Sequence, residues 1–219
     1  FPITQFNPSN KAAGVTISSP KVLLRAGTGW VSCGSAVYTL SGSDTLHPAV
    51  TGALYAEMHL DVAGGSADCS LGICDTSLNF TTITGNCYPG SGEMGPHCSA
   101  QGGKYIAGNG LGSNRWTNGA GGGGATSNLA AATQGQYVSI AIDINNGKMW
   151  FGINGSWAFG ATPSVNGANF QMIDGIPQTT NGYLLYAVMY YNTTQVTLRT
   201  KASEFVGAIP AGFSTWDEG

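Results

Sequence analysis

Between residues 136 and 157 the apolar side chains recur at every second position. Val138, Ile140, Ile142 and Ile144 alternate with Tyr137, Ser139, Ala141 and Asp143, the period of a strand with one buried face. The β-branched run opposes a helix. Asn146-Gly147 follows, two residues that tolerate positive φ as a type I′ hairpin turn requires. Met149, Phe151 and Ile153 then share one side of the next segment, and a second pair, Asn154-Gly155, leads into Trp157. The stretch predicts an antiparallel meander of three strands.

Shorter segments with the same character lie at 21–25, 36–40, 54–62, 70–75, 183–191 and 195–199, separated by turn-forming Gly, Asn, Asp and Pro. Pro2, Pro8 and Pro20 make residues 1–20 an extended arm rather than a central strand. Residues 41–44 and 160–181 are expected as loops. In the segment 54–62, Leu54, Ala56, Met58 and Leu60 share one face and Glu57, His59 and Asp61 the other, so the polar trio is expected on the solvated side of a sheet. A metal or catalytic use of the trio is the weaker reading. Glu57 and Asp61 stand about 13 Å apart along an extended strand, beyond the roughly 5–10 Å of a glycosidase acid pair. Asp143 is placed to support the turn that follows it.

Residues 84–128 have almost no strand patterning apart from 104–106 and predict a long Gly- and Cys-rich loop insertion. Long loops on a rigid scaffold are where binding concentrates. Arg115 and Trp116 are the strongest anchor candidates there, since Arg and Trp contribute most when a partner covers them; Trp116 folded back on the sheet is the alternative. Tyr88, His97 and Asn118 join them as candidate ligand-binding residues, with Trp157 as a second rim.

Composition narrows the function. A chain of 219 residues with 9% charged residues and 34 glycines is long enough for one β-sandwich domain with many turns. The net charge of −3, with eight scattered Lys and Arg, provides no basic stripe for nucleic acid. No apolar run reaches the length of a membrane span. No nucleophile elbow, histidine metal motif or phosphate loop is present, so a non-enzymatic chain without cofactor is expected. Cys33, Cys69, Cys74, Cys87 and Cys98 lack zinc-ribbon spacing; disulfides tethering the 84–98 region and free thiols are both open. Asn79, Asn154 and Asn192 head formal glycosylation sequons, which such a composition produces by chance. The first residue is Phe, and the start is expected to reflect trimming, processing or a fragment.

Asp143-Ile-Asn-Asn-Gly-Lys-Met-Trp-Phe-Gly-Ile-Asn-Gly155 resembles the signature hairpin of SPRY domains, in which an aspartate, a turn glycine, an aromatic and a closing Asn-Gly recur in this order. The strands 53–60, 70–75, 183–190 and 195–199 fall where that family has its core strands. The resemblance covers roughly residues 45–215. It implies a bent antiparallel β-sandwich of two sheets, with residues 1–44 as N-terminal arm and first strands and 45–219 as the SPRY-like part of one globular domain. It further implies a recognition module whose loops at one end bind a protein or glycan. The Gly-, Asn-, Ser- and Thr-rich flavour is similar to phage virion members. The expectation is therefore a domain on a virion surface or otherwise extracellular, contacting a host-surface glycan, a protein receptor or a neighbouring virion subunit. A homo-oligomer is compatible with this. A structural decoration protein, a cellular peptide-binding adaptor and a glycan-cleaving enzyme are the alternatives.

Overall fold

The computed structural model describes residues 4–27, 31–34, 37–40, 43–46, 51–64, 69–75, 81, 106–109, 115–117, 132–157, 162–165, 173–174, 182–189 and 191–217. For 31–34, 37–40, 43–46, 69–70, 74–75, 106–109, 115–117, 173–174 and 188 the description is of the backbone. Among the described residues, seventeen strands run in the order β1 (Thr4–Gln5), β2 (Val15–Ser19), β3 (Val22–Arg25), β4 (Val31–Gly34), β5 (Val37–Leu40), β6 (Ser43–Leu46), β7 (Ala53–Val62), β8 (Cys69–Asp75), β9 (Ile106–Asn109), β10 (Arg115–Thr117), β11 (Tyr137–Asp143), β12 (Lys148–Ile153), β13 (Ser156–Trp157), β14 (Ile173–Asp174), β15 (Tyr183–Met189), β16 (Gln195–Arg199) and β17 (Ser214–Thr215). The one helical element among the described residues is a 3-10 turn, Ala202–Glu204. None is a helix long and apolar enough to cross a membrane.

The large sheet has the order β13-β12-β11-β7-β16-β3-β2, with β14 on β12 and β17 on β7. A five-stranded sheet, β10-β9-β8-β15-β4, packs against it, and β1-β5-β6 form a small third sheet. Pairing is antiparallel except for β17, which runs parallel to the start of β7. The period of two explains the core. Ile140 lies opposite Ala56 and Phe151, Ile142 opposite Leu54 and Met149, and Leu198 opposite Met58, so one face of the large sheet is a continuous apolar row. All of these side chains are buried, together with Leu71, Ile73, Leu185 and Ala187 from the facing sheet.

The meander forms as expected, but its two turns exchange roles. Asn154 and Gly155 both have positive φ, 49° and 76°, joining Ile153 to its partner Ser156 in the two-residue type I′ geometry. At the first turn only Gly147 has positive φ, 66°, and four residues separate the paired Asp143 and Lys148. Asp143 explains the difference. Its carboxylate accepts hydrogen bonds from the Asn146 backbone N–H (3.1 Å) and side-chain amide (2.7 Å), an Asx-type bond that holds Asn146 at negative φ and leaves the αL position to glycine.

Three expected loops contain strand, among them 160–181, where Ile173–Asp174 pairs with Met149 and Lys148 of β12. Ser43–Leu46 pairs with β5, although residues 41–44 lack apolar alternation. Within 84–128, Ile106–Asn109 and Arg115–Thr117 pair with each other, and β9 continues onto β8. Backbone pairing to an existing edge suffices there without a sequence period.

Candidate functional site

The two sheets are aligned so that β11 lies against β8, β12 against β9 and β2 against β4. Strand order then places β13 and β10 on the same lateral edge of the sandwich. The structure thus brings the backbones of Arg115 and Trp116, opposite Gly108 and Ala107, to the edge that carries Trp157. The Arg115 and Trp116 side chains lie outside the described residues, as do Tyr88, His97 and Asn118 and the side chains of the five cysteines.

Trp157 is half-buried. It lies over Gly152, where an added Cβ would stand 3.1 Å from the indole ring, and meets Tyr55 edge-on with ring centroids 6.2 Å apart. It packs against its own domain and keeps part of its surface exposed. That geometry suits a rigid aromatic contact, because little side-chain freedom is left to lose on binding.

The outer face of the large sheet, which carries Tyr55, Glu57, His59 and Asp61, is not uniformly solvated. Glu57 has no exposed surface, which corrects the expectation for this residue. After β16 ends, residues 201–217 turn back across the sheet, and β17 pairs with the stretch of β7 that β16 leaves open. Phe205, Ile209 and Phe213 from this segment pack on Tyr55, Ala141 and Trp150. Phe205 stands edge-on to Tyr55 at 4.9 Å and Phe213 edge-on to Trp150 at 5.8 Å. Glu57 is the polar anchor beneath. It accepts hydrogen bonds from the Tyr55 hydroxyl (2.7 Å), the Val206 N–H (3.0 Å) and the Gly207 N–H (2.8 Å), with Arg199 Nη1 3.9 Å away. Burial, and next the Glu57 carboxylate, push the Tyr55 phenol well above its ordinary range; burial and the same carboxylate raise Tyr137. A carboxylate taken up in this way is a fastening, not an acid–base group poised for a substrate.

The chain ends are tied together beside this anchor. Lys21 donates to Glu204 at 2.7 Å and lies 3.8 Å from Asp217, whose oxygens accept from Thr4 N–H (3.1 Å) and the Thr200 hydroxyl (2.9 Å). Burial alone would raise the Glu204 carboxyl, but the bonds from Lys21 and from the Thr200 and Lys201 N–H groups outweigh it and hold it below its ordinary value.

Beyond Glu57 the outer face opens. His59 and Asp61 retain about a quarter of their side-chain exposure, 22% and 24%. Asp61 Oδ1 lies 2.6 Å from His59 Nδ1, and Oδ2 accepts from Thr197 Oγ1 at 2.6 Å and Gln195 Nε2 at 3.4 Å. His59 Nε2 lies 3.1 Å from the Gly135 carbonyl. Among the described residues no group of three or more His, Cys, Asp or Glu is arranged to hold a metal ion.

These features define an all-β sandwich with a covered sheet face and an aromatic edge. Among solved structures the chain is similar to the SPRY domain of human HERC1, with 12% identity, a TM-score of 0.54, and 89% of this chain and 96% of that one covered. It is also similar to the PSpry domain of TRIM65 (12% identity, TM-score 0.49, 89% and 88% covered) and to a human SPRY domain (12%, 0.49, 85% and 94%). The fold is SPRY-like. No protein-family model and no curated protein matches the chain.

Proposed function

We propose that the chain is a non-enzymatic recognition module that binds a protein or glycan partner along the edge formed by β10 and β13. What supports this reading is the strand order, which puts the backbone of Arg115 and Trp116 and strand β13, with its half-buried Trp157, at the same lateral edge of the sandwich. A SPRY-like fold adds to it, since loops and edges on a rigid sandwich are where such a scaffold presents contacts. Tyr88, His97 and Asn118 remain candidate contacts in this reading and lie outside the described residues. The low charge and the abundance of Gly, Asn, Ser and Thr favour an extracellular setting on a virion surface, with a host-surface receptor or a neighbouring virion subunit as partner.

The test is saturable binding of the fluorescently labelled protein to intact cells of candidate bacterial hosts, with and without removal of surface polysaccharide. Binding lost on stripping supports a glycan-directed adhesin. Binding retained after stripping points to a protein receptor. The double variant Arg115→Ala/Trp116→Ala is expected to abolish binding with an unchanged melting temperature; a folded double variant that binds normally moves the site off this edge. Absence of binding to every host overturns the attachment reading in favour of an assembly or adaptor role.

A further inference from the structure

The two nitrogens of the His59 ring both face oxygen acceptors. Nδ1 lies 2.6 Å from the Asp61 carboxylate and Nε2 lies 3.1 Å from the carbonyl of Gly135. A neutral imidazole carries one N–H and one lone pair, so it can satisfy one of these oxygens and must turn a lone pair on the other. The imidazolium donates to both.

The two acceptors belong to different parts of the chain. Asp61 is on β7 and is held in place from β16 by Thr197 and Gln195. Gly135 is in the turn that enters β11, at the downstream base of the 84–128 stretch. The turn's other ties to the sheet among the described residues are the burial of Ala132 in the core, the bonds from Gly135 N–H to Leu60 O and from Leu60 N–H to Gln136 O, both at 2.9 Å, and the bond from Ala63 N–H to Gln134 Oε1 at 3.2 Å. The charged and titratable groups facing His59 are Glu57 and Asp61 on its own strand, Tyr137 opposite it on β11, and Arg199 two residues beyond its partner Thr197 on β16. Residues 132–136 contribute none.

We propose that His59 is a protonation-dependent pin: as the imidazolium it fastens the 132–136 turn to β7, and on losing a proton it gives up the bond to Gly135 and loosens that turn. Histidine is the side chain whose charge change ordinarily falls between pH 5 and 8.

The test is amide hydrogen exchange of the intact protein at pH 5 and pH 8, expressed as protection factors so that the intrinsic pH dependence of exchange is removed. Protection of the Gly135 and Leu60 amides is expected to fall about tenfold from pH 5 to pH 8, as loss of one charge-assisted hydrogen bond predicts, while that of Ile140 in the core of β11 stays level. In His59→Gln the Gly135 and Leu60 values should no longer depend on pH, and ring nitrogen NMR of the wild type should show both nitrogens protonated at pH 5. Flat protection in the wild type, or the same pH dependence in His59→Gln, overturns the proposal. Should His59→Gln fail to fold, Asp61→Asn serves as the second variant: with no carboxylate claiming the single N–H, the neutral ring can keep its bond to Gly135, so the pH dependence of Gly135 and Leu60 protection should shrink, and an unchanged dependence overturns the proposal.

Discussion

Glu57 and Asp61 sit on the same strand, on the same face, four residues apart, yet one is sealed and the other stands open to solvent. Glu57 has no exposed surface and is bonded to the backbone of the C-terminal segment. Asp61 keeps 24% of its side chain exposed and bonds to its sheet neighbours. The strand's own sequence treats the two positions alike. Their difference comes from where a segment some 150 residues downstream in the chain is laid down. It shows that parity assigns a residue to a face and says nothing about whether that face is solvent.

Four substitutions or conditions would break or sharpen the contrast. Glu57→Ala has the largest expected effect. It leaves the Tyr55 hydroxyl and two backbone N–H groups without an acceptor and Arg199 without its neighbouring charge, at a cost of about 3 kcal/mol or more. Urea denaturation measures this, and a loss no greater than that of the matching change at Asp61 would mean the covered half is not held as described.

Gly207→Ala comes next. Its new Cβ would stand 2.9 Å from each of three oxygens, on Glu57, Tyr137 and Tyr55. Overpacking of this kind costs about 1–3 kcal/mol, and release of the C-terminal segment should raise proteolysis near residue 207. An unchanged melting temperature would place Gly207 away from the anchor.

Acid titration separates a third contribution. The Glu204 carboxyl is held below its ordinary value of 4.5, so its stabilising part is complete above that pH and is lost as pH falls through the lower folded-state value. The melting temperature of wild type should therefore drop more steeply below pH 4.5 than that of Glu204→Gln. Parallel curves would remove Glu204 from the fastening of the chain ends. Asp61→Ala is expected to change stability least, within about 1 kcal/mol, because its partners remain within reach of water.

The proposed recognition edge was legible in part. Arg115, Trp116 and Trp157 stand out by residue type, but the placing of β10 and β13 at one edge depends on the alignment of two sheets, which involves strands far apart in the chain. Glu57 as an anchor was missed, although a signal existed. Residues 205–216 contain no charge and carry Phe205, Ile209, Phe213 and Trp216, more apolar surface than a free tail would leave in water. The His59 pin was legible only by half: parity puts Asp61 beside it, but its other acceptor is a backbone carbonyl from a distant turn.

What the sequence by itself determined is what depends on neighbours along the chain. Alternation made the strands, the β-branched residues favoured extended backbone, and glycine or asparagine marked the reversals at 147 and 154–155. Even there, a local hydrogen bond from Asp143 chose the turn type. The tertiary structure decided the rest: the pairing of weakly patterned strands such as β6, β9 and β10, the common edge of β10 and β13, and the burial of Glu57. These rest on contacts between residues tens to hundreds of positions apart, where the gain of each contact depends on the whole chain having already closed around it.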